Sequence, residues 1–530
     1  MLRINEIKVS LDSDFSEITK EACKVLKINK DNLLKAEIYR KSVDCRKGEV
    51  QFVYTVDVEV QNEDKILNSI NSNRVTKCQK YEYKMITPKR NSELPPIVAG
   101  FGPAGMFAGL ILARAGFKPI IVERGRCIEQ RTDDVNNFWQ NRILDETSNI
   151  QYGEGGAGTF SDGKLTTGIK DSRCRFIFEE FVKHGAPDDI LINAKPHIGT
   201  DKLKKVVKSI REEIISLGGK VLFETQLVNI IVANNFIHGV TLRDKFGRET
   251  DIETDGVILS IGHSASDTVK MLYDKGVNMM QKPFSVGARI EHPQEFIDTA
   301  QYGKYKGHKN LRPADYKMAC HPPHGRGAYT FCMCPGGTVV CASSNKGGVV
   351  TNGMSEYARD KENANSAILV GIDPADFPDE HPLSGFALQR EIEEKAFKQG
   401  GGDYTAPAQL VGDFIKNQKS TKIGAVKPSF PTGVAMGDIS TVLPKKVVDT
   451  MRDALVQMDK KIKGFAMDEA VLTAPETRSS SPVRIIRDEF FQTNVRGLYP
   501  CGEGAGYAGG IVSAGVDGVK CAEALLNDEF

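Results

Sequence analysis

Apolar and polar residues alternate along residues 2–11, where Leu2, Ile4, Ile7 and Val9 form the apolar set. They alternate again along 50–60, with Val50, Phe52, Tyr54, Val56 and Val58 on one face. A period of two marks half-buried strands. Between these runs, Ile18, Ala22 and Val25 recur at helical spacing over 14–26, and 33–39 reads as another strand. A short helix over 64–70 and a strand over 75–80 complete the order β-α-β-β-α-β, which predicts a ferredoxin-like α+β unit over residues 1–87. The segment Arg40-Lys41-Ser42-Val43-Asp44-Cys45-Arg46-Lys47 reads as a basic loop between the second and third strands. It is either a solvated turn or a contact for phosphate, nucleotide or a protein partner.

The pattern then changes. Residues 88–96 form a polar, proline-bearing linker, followed by the apolar strand Ile97-Val98-Ala99, a glycine loop, a helix over 104–115 and a strand over 119–123. Thr200 is placed to cap a helix running to Leu217, closed by Gly218-Gly219. Residues 220–261 read as short strands, with hairpin turns at Asn234-Asn235 and Asp244-Lys245-Phe246-Gly247. From 280 to 475 the chain shows loops bearing Pro, Gly, His and Cys and few periodic runs. The last residues return to strand, glycine loop and helix. This predicts an α/β dinucleotide domain (94–280 and 476–530), split by an inserted α+β substrate or cap domain over 281–475.

Composition narrows the class without adding chemistry. The 530 residues are 40% hydrophobic and 26% charged, and 70 Lys plus Arg against 69 Asp plus Glu leave a formal charge of +1. That balance gives no support to nucleic acid or a membrane surface as partner. No apolar run is long enough to span a bilayer, and residues 1–6 lead straight into a strand. The 11 Cys are scattered and odd in number, which fits free thiols in a cytoplasmic protein.

The glycine loop Gly100-Phe101-Gly102-Pro103-Ala104-Gly105 carries the first chemistry. Gly100 allows the tight turn off the strand, Gly102 lets backbone approach a pyrophosphate, and Gly105 lets the helix pack on the sheet. Pro103 and Ala104 start the helix whose positive end would face the phosphates. Glu123, at the end of the next strand, would accept from ribose hydroxyls and repel a 2′-phosphate. At the other end of the chain, Gly502-Glu503-Gly504-Ala505-Gly506-Tyr507-Ala508-Gly509-Gly510-Ile511 opens a helix over 511–526. Glu503 can bind ribityl hydroxyls, and the amides of Gly509, Gly510 and Ile511 can face negative charge on a flavin ring.

Together with Val122-Glu123-Arg124-Gly125, Arg131-Thr132-Asp133-Asp134-Val135 and Gly155-Gly156-Ala157-Gly158-Thr159-Phe160-Ser161-Asp162-Gly163-Lys164-Leu165, these stretches resemble the glutathione-reductase-type FAD fold. Ile261-Gly262-His263-Ser264-Ala265 and Phe331-Cys332-Met333-Cys334-Pro335-Gly336-Gly337 extend the resemblance to a group of bacterial FAD-dependent dehydrogenases of unsettled substrate. Geranylgeranyl reductases and electron-transfer-flavoprotein dehydrogenases are more distant relatives. The resemblance implies non-covalent FAD and an oxidoreductase acting on a small organic molecule. It implies that Arg131 helps hold the FAD phosphates, beside Arg124. Gly156, Ala157, Gly158, Ser161 and Lys164 would line the flavin, and residues 255–262 would form a strand beneath the adenine half, ending at Gly262 and His263. Glu503, after Gly502, stands where many relatives carry Asp. One full dinucleotide fingerprint is present, which disfavours the two-nucleotide disulfide reductases. The reductant is then a transient NADH or NADPH, or an electron-carrier protein.

Candidates for the reaction itself gather in the insertion. His321, His324, Arg326 and Tyr329 share one loop that could bind an anionic substrate and donate a proton, or could be a solvated, hydrogen-bonded turn. On a strand Cys332 and Cys334 would share one face, but the following Pro335-Gly336-Gly337 suits a turn equally well. They are buried structural thiols, thiols facing flavin or substrate, or metal ligands with Cys320, His321 and His324. No metal site is expected. Arg478 and Arg484 are candidates for a carboxylate or the flavin, or for scattered surface ion pairs. A role on RNA would rest on Arg40, Lys41, Arg46 and Lys47 alone, and a non-catalytic electron-transfer partner is the remaining alternative.

Overall fold

A computed structural model describes residues 1–70, 72–323 and 325–528, with the backbone alone of Lys47. The alternating N-terminal residues form β1 (Leu2–Val9), α1 (Phe15–Leu26), β2 (Leu33–Asp44), β3 (Gln51–Val60), α2 (Glu63–Ser69) and β4 (Val75–Lys77). The strands make one antiparallel sheet in the order β2-β3-β1-β4. Leu2, Ile4, Val56 and Val58 are buried with Ile18, Ala22 and Leu26 of α1. Asp14 caps α1 by accepting from the amides of Ser16 and Glu17.

The basic segment is not a loop. Residues 41–44 continue β2, paired with 51–54 of β3. The Lys41 ammonium lies 3.9 Å from the Phe52 ring centre, and Arg46 pairs with Asp44 at 2.8 Å. Two of the four cations are thereby engaged within the unit. Residues 78–96 form neither helix nor strand, yet they are strapped to the body. The amides of Lys89 and Arg90 donate to the Leu526 carbonyl, and Tyr83 stacks on Phe176 with ring centres 4.1 Å apart.

β5 (Ile97–Ala99) leads through the glycine turn into α3 (Pro103–Arg114) and then β6 (Ile120–Val122). They belong to a five-stranded, wholly parallel sheet in the order Leu498–Pro500, Val257–Leu259, β5, β6, β7 (Lys220–Leu222). The chain is thus a mixed α/β protein with a Rossmann-like parallel sheet, closed at one edge by its own C-terminal segment. α3 is apolar and buried on every side, as a core helix must be. Helix Ile511–Asn527 crosses it closely because Gly518 has no side chain, and a Cβ there would lie 2.1 Å from the Ala104 carbonyl oxygen.

Three further strands, Thr225–Ala233, Phe236–Asp244 and Glu249–Glu253, form an antiparallel sheet. Asn234 and Asn235 make its two-residue turn at φ 52° and 63°, the left-handed pair that suits a strand's twist. Thr200 opens helix Thr200–Ser216 but does not cap it, since its hydroxyl donates to the Thr159 carbonyl at 2.7 Å.

The region expected to be mostly loops holds the largest sheet. Its seven strands run in the order Ala319–Cys320, Ala328–Cys334, Asn363–Ile372, Phe284–Pro293, Val471–Glu476, Ala406–Leu410, Val434–Met436. Neighbours are antiparallel except the last pair. Phe284–Pro293 pairs along all ten residues with Asn363–Ile372. No helix among the described residues is long and apolar enough to cross a membrane.

Candidate functional site

The parallel sheet and the seven-stranded sheet meet around a cavity of about 790 Å³. That volume is in the range of roughly 300–1,000 Å³ usual for sites that hold small molecules and cofactors. Gly100, Gly102, Pro103 and Ala104 form part of its wall, with Glu123 and Arg124 beside them. Gly100 has φ 98°, and a Cβ there would lie 2.2 Å from the Ser260 carbonyl oxygen, so this turn admits glycine only. Gly105 is not on the wall. A Cβ on it would meet the Gly100 oxygen at 1.9 Å, so its role is the close seating of α3.

Glu123 is buried and accepts three backbone amides: Phe101 on Oε2 at 2.9 Å, and Gly125 and Gly153 on Oε1 at 3.0 and 2.9 Å. Arg124 is held by Asp267 and lies 4.4 Å from the Tyr152 ring centre. Arg131 departs from its expected place. It is fully buried, and its guanidinium donates to the carbonyls of Asn149, Ile150 and Glu154 at 2.6–2.8 Å, off the cavity wall. It therefore orders the 149–154 loop that Glu123 also grips.

The C-terminal loop brings Glu503, Gly509, Gly510 and Ile511 to the same cavity. Gly502 stands behind them, against the Ala104 side chain. Gly262 and His263 line the wall, and His263 Nδ1 lies 3.1 Å from Glu503 Oε1 while its buried Nε2 has no partner. Opposite this loop are Gly156, Ala157, Gly158, Ser161 and Lys164. The Ser161 hydroxyl donates to the Gly158 carbonyl at 2.6 Å.

The seven-stranded sheet supplies the remaining wall through Tyr329, Thr330, Phe331, Cys332 and Met333. Tyr329 shares a 2.9 Å hydrogen bond with Ser285. His321 and Arg326 are not on the wall. His321 is exposed, and Arg326 is committed to Asp373 and Asp376 at the far end of the sheet. Cys334 is buried beneath Cys332, off the wall, and His324 lies outside the described residues. Arg478 is on the wall but forms a bidentate pair with Glu393 at 2.8 and 2.9 Å. Arg484 instead donates to the Gly506 carbonyl at 3.1 Å.

Residues 283–479 match the family described as FAD-dependent protein, C-terminal domain-like, and residues 1–59 match a domain of unknown function (DUF8436). A protein of Clostridium beijerinckii, described as uncharacterized, is 46% identical over 529 residues, or 99% of this chain and 98% of that one. The chain belongs to the family of that clostridial protein. Among solved structures, a flavoprotein/dehydrogenase from Cytophaga hutchinsonii is 12% identical, with 82% of this chain and 78% of that one covered and a TM-score of 0.35. A geranylgeranyl bacteriochlorophyll reductase-like protein from Thermoplasma acidophilum is also 12% identical, over 82% and 77%, with a TM-score of 0.35.

The cavity wall offers a long cofactor two glycine-led helix starts. α3 and helix Ile511–Asn527 both begin at a glycine, Gly102 and Gly510, and neither N-terminus has a side-chain cap. Pro103 has no N–H, so the amides of Ala104 and Gly105, with the first amides of helix Ile511–Asn527, face the space between them. A Cβ built on Gly509 or Gly510 would enter open space, so the loop leaves room on that side. The uncapped helix starts, with Glu123 and Glu503 on the wall, fit a long, anionic dinucleotide.

Several wall residues carried no sequence signal. Arg359 joins Asp162 through two bonds of 3.0 and 2.6 Å. Burial by itself would push the Asp162 carboxyl up, but Arg359 and Lys164 hold it below the usual carboxylate range. Glu476 also reaches the wall, in a fully buried bidentate pair with Arg289 at 2.6 and 2.8 Å. Partners this distant in sequence leave no local spacing to read.

Proposed function

We propose that the cavity binds FAD non-covalently and that the protein is a dehydrogenase or reductase moving a hydride or electron pair between FAD and a small organic substrate. The observation that supports this reading is the pair of uncapped, glycine-led helix N-termini opening on one cavity, with Glu123 and Glu503 on its wall. Bound FAD supplies a two-electron acceptor and donor that side chains lack. Glu123 holds the adenosine ribose with the acceptor capacity left by its three amide bonds, and the α3 amides hold the diphosphate. Glu503 holds ribityl hydroxyls, steadied by His263. Lys164 lies near the ring loop and offsets negative charge that builds during reduction. Tyr329 and the adjoining strand form the substrate side.

In this reading the glutathione-reductase-type FAD domain comprises 94–280 and 476–530, and residues 281–475 form the substrate domain. Residues 1–87 form a ferredoxin-like unit, and NADH, NADPH or a carrier protein provides electrons transiently. The test is direct. Purified protein should carry flavin absorbance that denaturation releases as FAD, and Glu123→Ala should lower FAD affinity at least tenfold by equilibrium titration. A colourless protein that gains no flavin absorbance with added FAD would sink the reading.

A further inference from the structure

Strand Ala328–Cys334 pairs regularly with Asn363–Ile372 as far as Phe331 opposite Ala367, and then skips register so that Cys334 stands opposite Asn365. The extra residue is absorbed at Cys332, which takes φ 42°, in the left-handed region a side chain seldom adopts. Bulges and such backbone settings concentrate beside reacting sites. Arg289 pins this one by donating to the Cys332 carbonyl at 2.8 Å. The half-buried Cys332 side chain reaches the cavity, and Cys334 lies buried under it with Sγ 3.3 Å from the Cys332 carbonyl oxygen.

In a regular strand the two Cα atoms would stand about 6.6–6.8 Å apart, at the outer limit of a disulfide's span. The bulge interrupts that regular spacing, and the Cys334 thiol donates back to the Cys332 carbonyl oxygen at 3.3 Å. We propose that Cys332 and Cys334 are a redox-active dithiol/disulfide pair that exchanges two electrons with the flavin in the adjoining cavity. The inference rests on the FAD reading above.

The electrostatics give the two sulfurs different parts. The neighbouring Cys334 thiol, with the charges of Arg289 and Lys164, lowers the Cys332 thiol against the opposing effects of burial and Asp162. Cys332 and burial in turn push the Cys334 thiol up. These shifts favour negative charge on Cys332, the sulfur on the cavity wall, over Cys334. Cys341, buried without such partners, is pushed up to about 11 and has the environment of an inert core thiol. Among the described residues, the clusters of three or more ligand-type side chains are Cys501/Asp517/Cys521 and Glu180/His184/Glu213, and neither includes this pair.

The chemistry balances within the site. A sulfur–sulfur bond forms between the Cys332 thiolate and Cys334, and Cys334 releases one proton. Two electrons and that proton pass to the oxidised flavin, giving the reduced flavin anion. The reverse flow opens the disulfide and restores thiolate and thiol.

The test is an anaerobic dithionite titration of the air-oxidised flavoprotein, with thiol alkylation and peptide mass spectrometry before and after. Wild type should take up about four electrons per flavin, two for each centre, while Cys332→Ser and Cys334→Ser should each take up about two. The peptide carrying Cys332 and Cys334 should resist alkylation when oxidised and gain two labels when reduced. Alkylation needs no variant, so it decides the matter even if a substituted protein misfolds. Flavin-bearing wild type that takes up about two electrons, with both thiols open to alkylation after oxidation, would overturn the pair and leave the FAD reading standing. Protein that binds no FAD would overturn both.

Discussion

The N-terminal sheet and the seven-stranded sheet obey the same backbone rules and bury opposite shares of themselves. In β1 and β3 buried and partly exposed residues alternate, because one face meets α1 and the other meets water. In Phe284–Pro293 and Asn363–Ile372 nearly every residue is buried, because both faces are covered. A strand covered on both faces has no reason to alternate, so the periodicity that betrays the first sheet is missing from the second. The second sheet also holds Arg289, Glu291, His292, Asn363, Asn365 and Glu476 out of water, and each needs partners from the interior. Glu291, for example, accepts from Ser429 Oγ at 2.6 Å and Asn363 Nδ2 at 3.0 Å. In the first sheet the Arg3–Asp57 pair, 2.7 Å long, is only partly covered, with 23% of the Arg3 side chain exposed.

That difference should show first in the ion pairs. Glu476→Ala leaves the buried Arg289 charge without its counter-ion and should cost about 3–5 kcal/mol in urea unfolding. Arg3→Ala should cost about 1 kcal/mol or less. Equal losses would break the comparison. Next, Ile368→Ala empties space in the doubly covered sheet and should cost about 2–5 kcal/mol. Leu34→Ala on the open face of β2, 62% exposed, should stay within about 0.5 kcal/mol.

A pH series sharpens the contrast further. His292, fully buried in Phe284–Pro293, is brought down to about 4 by desolvation, which outweighs the hydrogen bond to the Phe465 carbonyl. Its folded form resists protonation. The stability this neutral imidazole contributes is present above the unfolded value of 6.5 and is lost as the pH falls through about 4. The full loss is at most about 3 kcal/mol. Residues 1–87 contain no His, so the N-terminal sheet should show no counterpart. Unfolding midpoints at several pH values should show the drop shrinking in His292→Gln, and an unchanged drop would assign it elsewhere.

The parts of the fold that were legible are those governed by neighbours in the chain. The β-α-β-β-α-β order, the Asn234-Asn235 turn and the glycine turn at Gly100 each follow from a local period or a required φ. Differences arose where a distant group competed. Thr200 was expected to cap its helix but gives its proton to Thr159, and the basic segment became strand because β3 offered it partners. Arg131 was expected at the phosphates but is consumed by the 149–154 carbonyls. Of the reactive candidates, Tyr329 and Cys332 reach the cavity, whereas His321 and Arg326 sit away from it. Their closeness in sequence says little, because a strand carries neighbours apart at about 3.3 Å per residue.

The sequence alone determined that two glycine-led helices and two acidic residues exist at the right places for a dinucleotide, because those features act within a few residues of one another. Only the tertiary structure decided that both helices open on one cavity, that Cys332 faces it from a bulge, and that Arg289 finds Glu476. Those outcomes depend on contacts between segments far apart in the chain, whose pairing is selected by burial and charge satisfaction and leaves no local period behind.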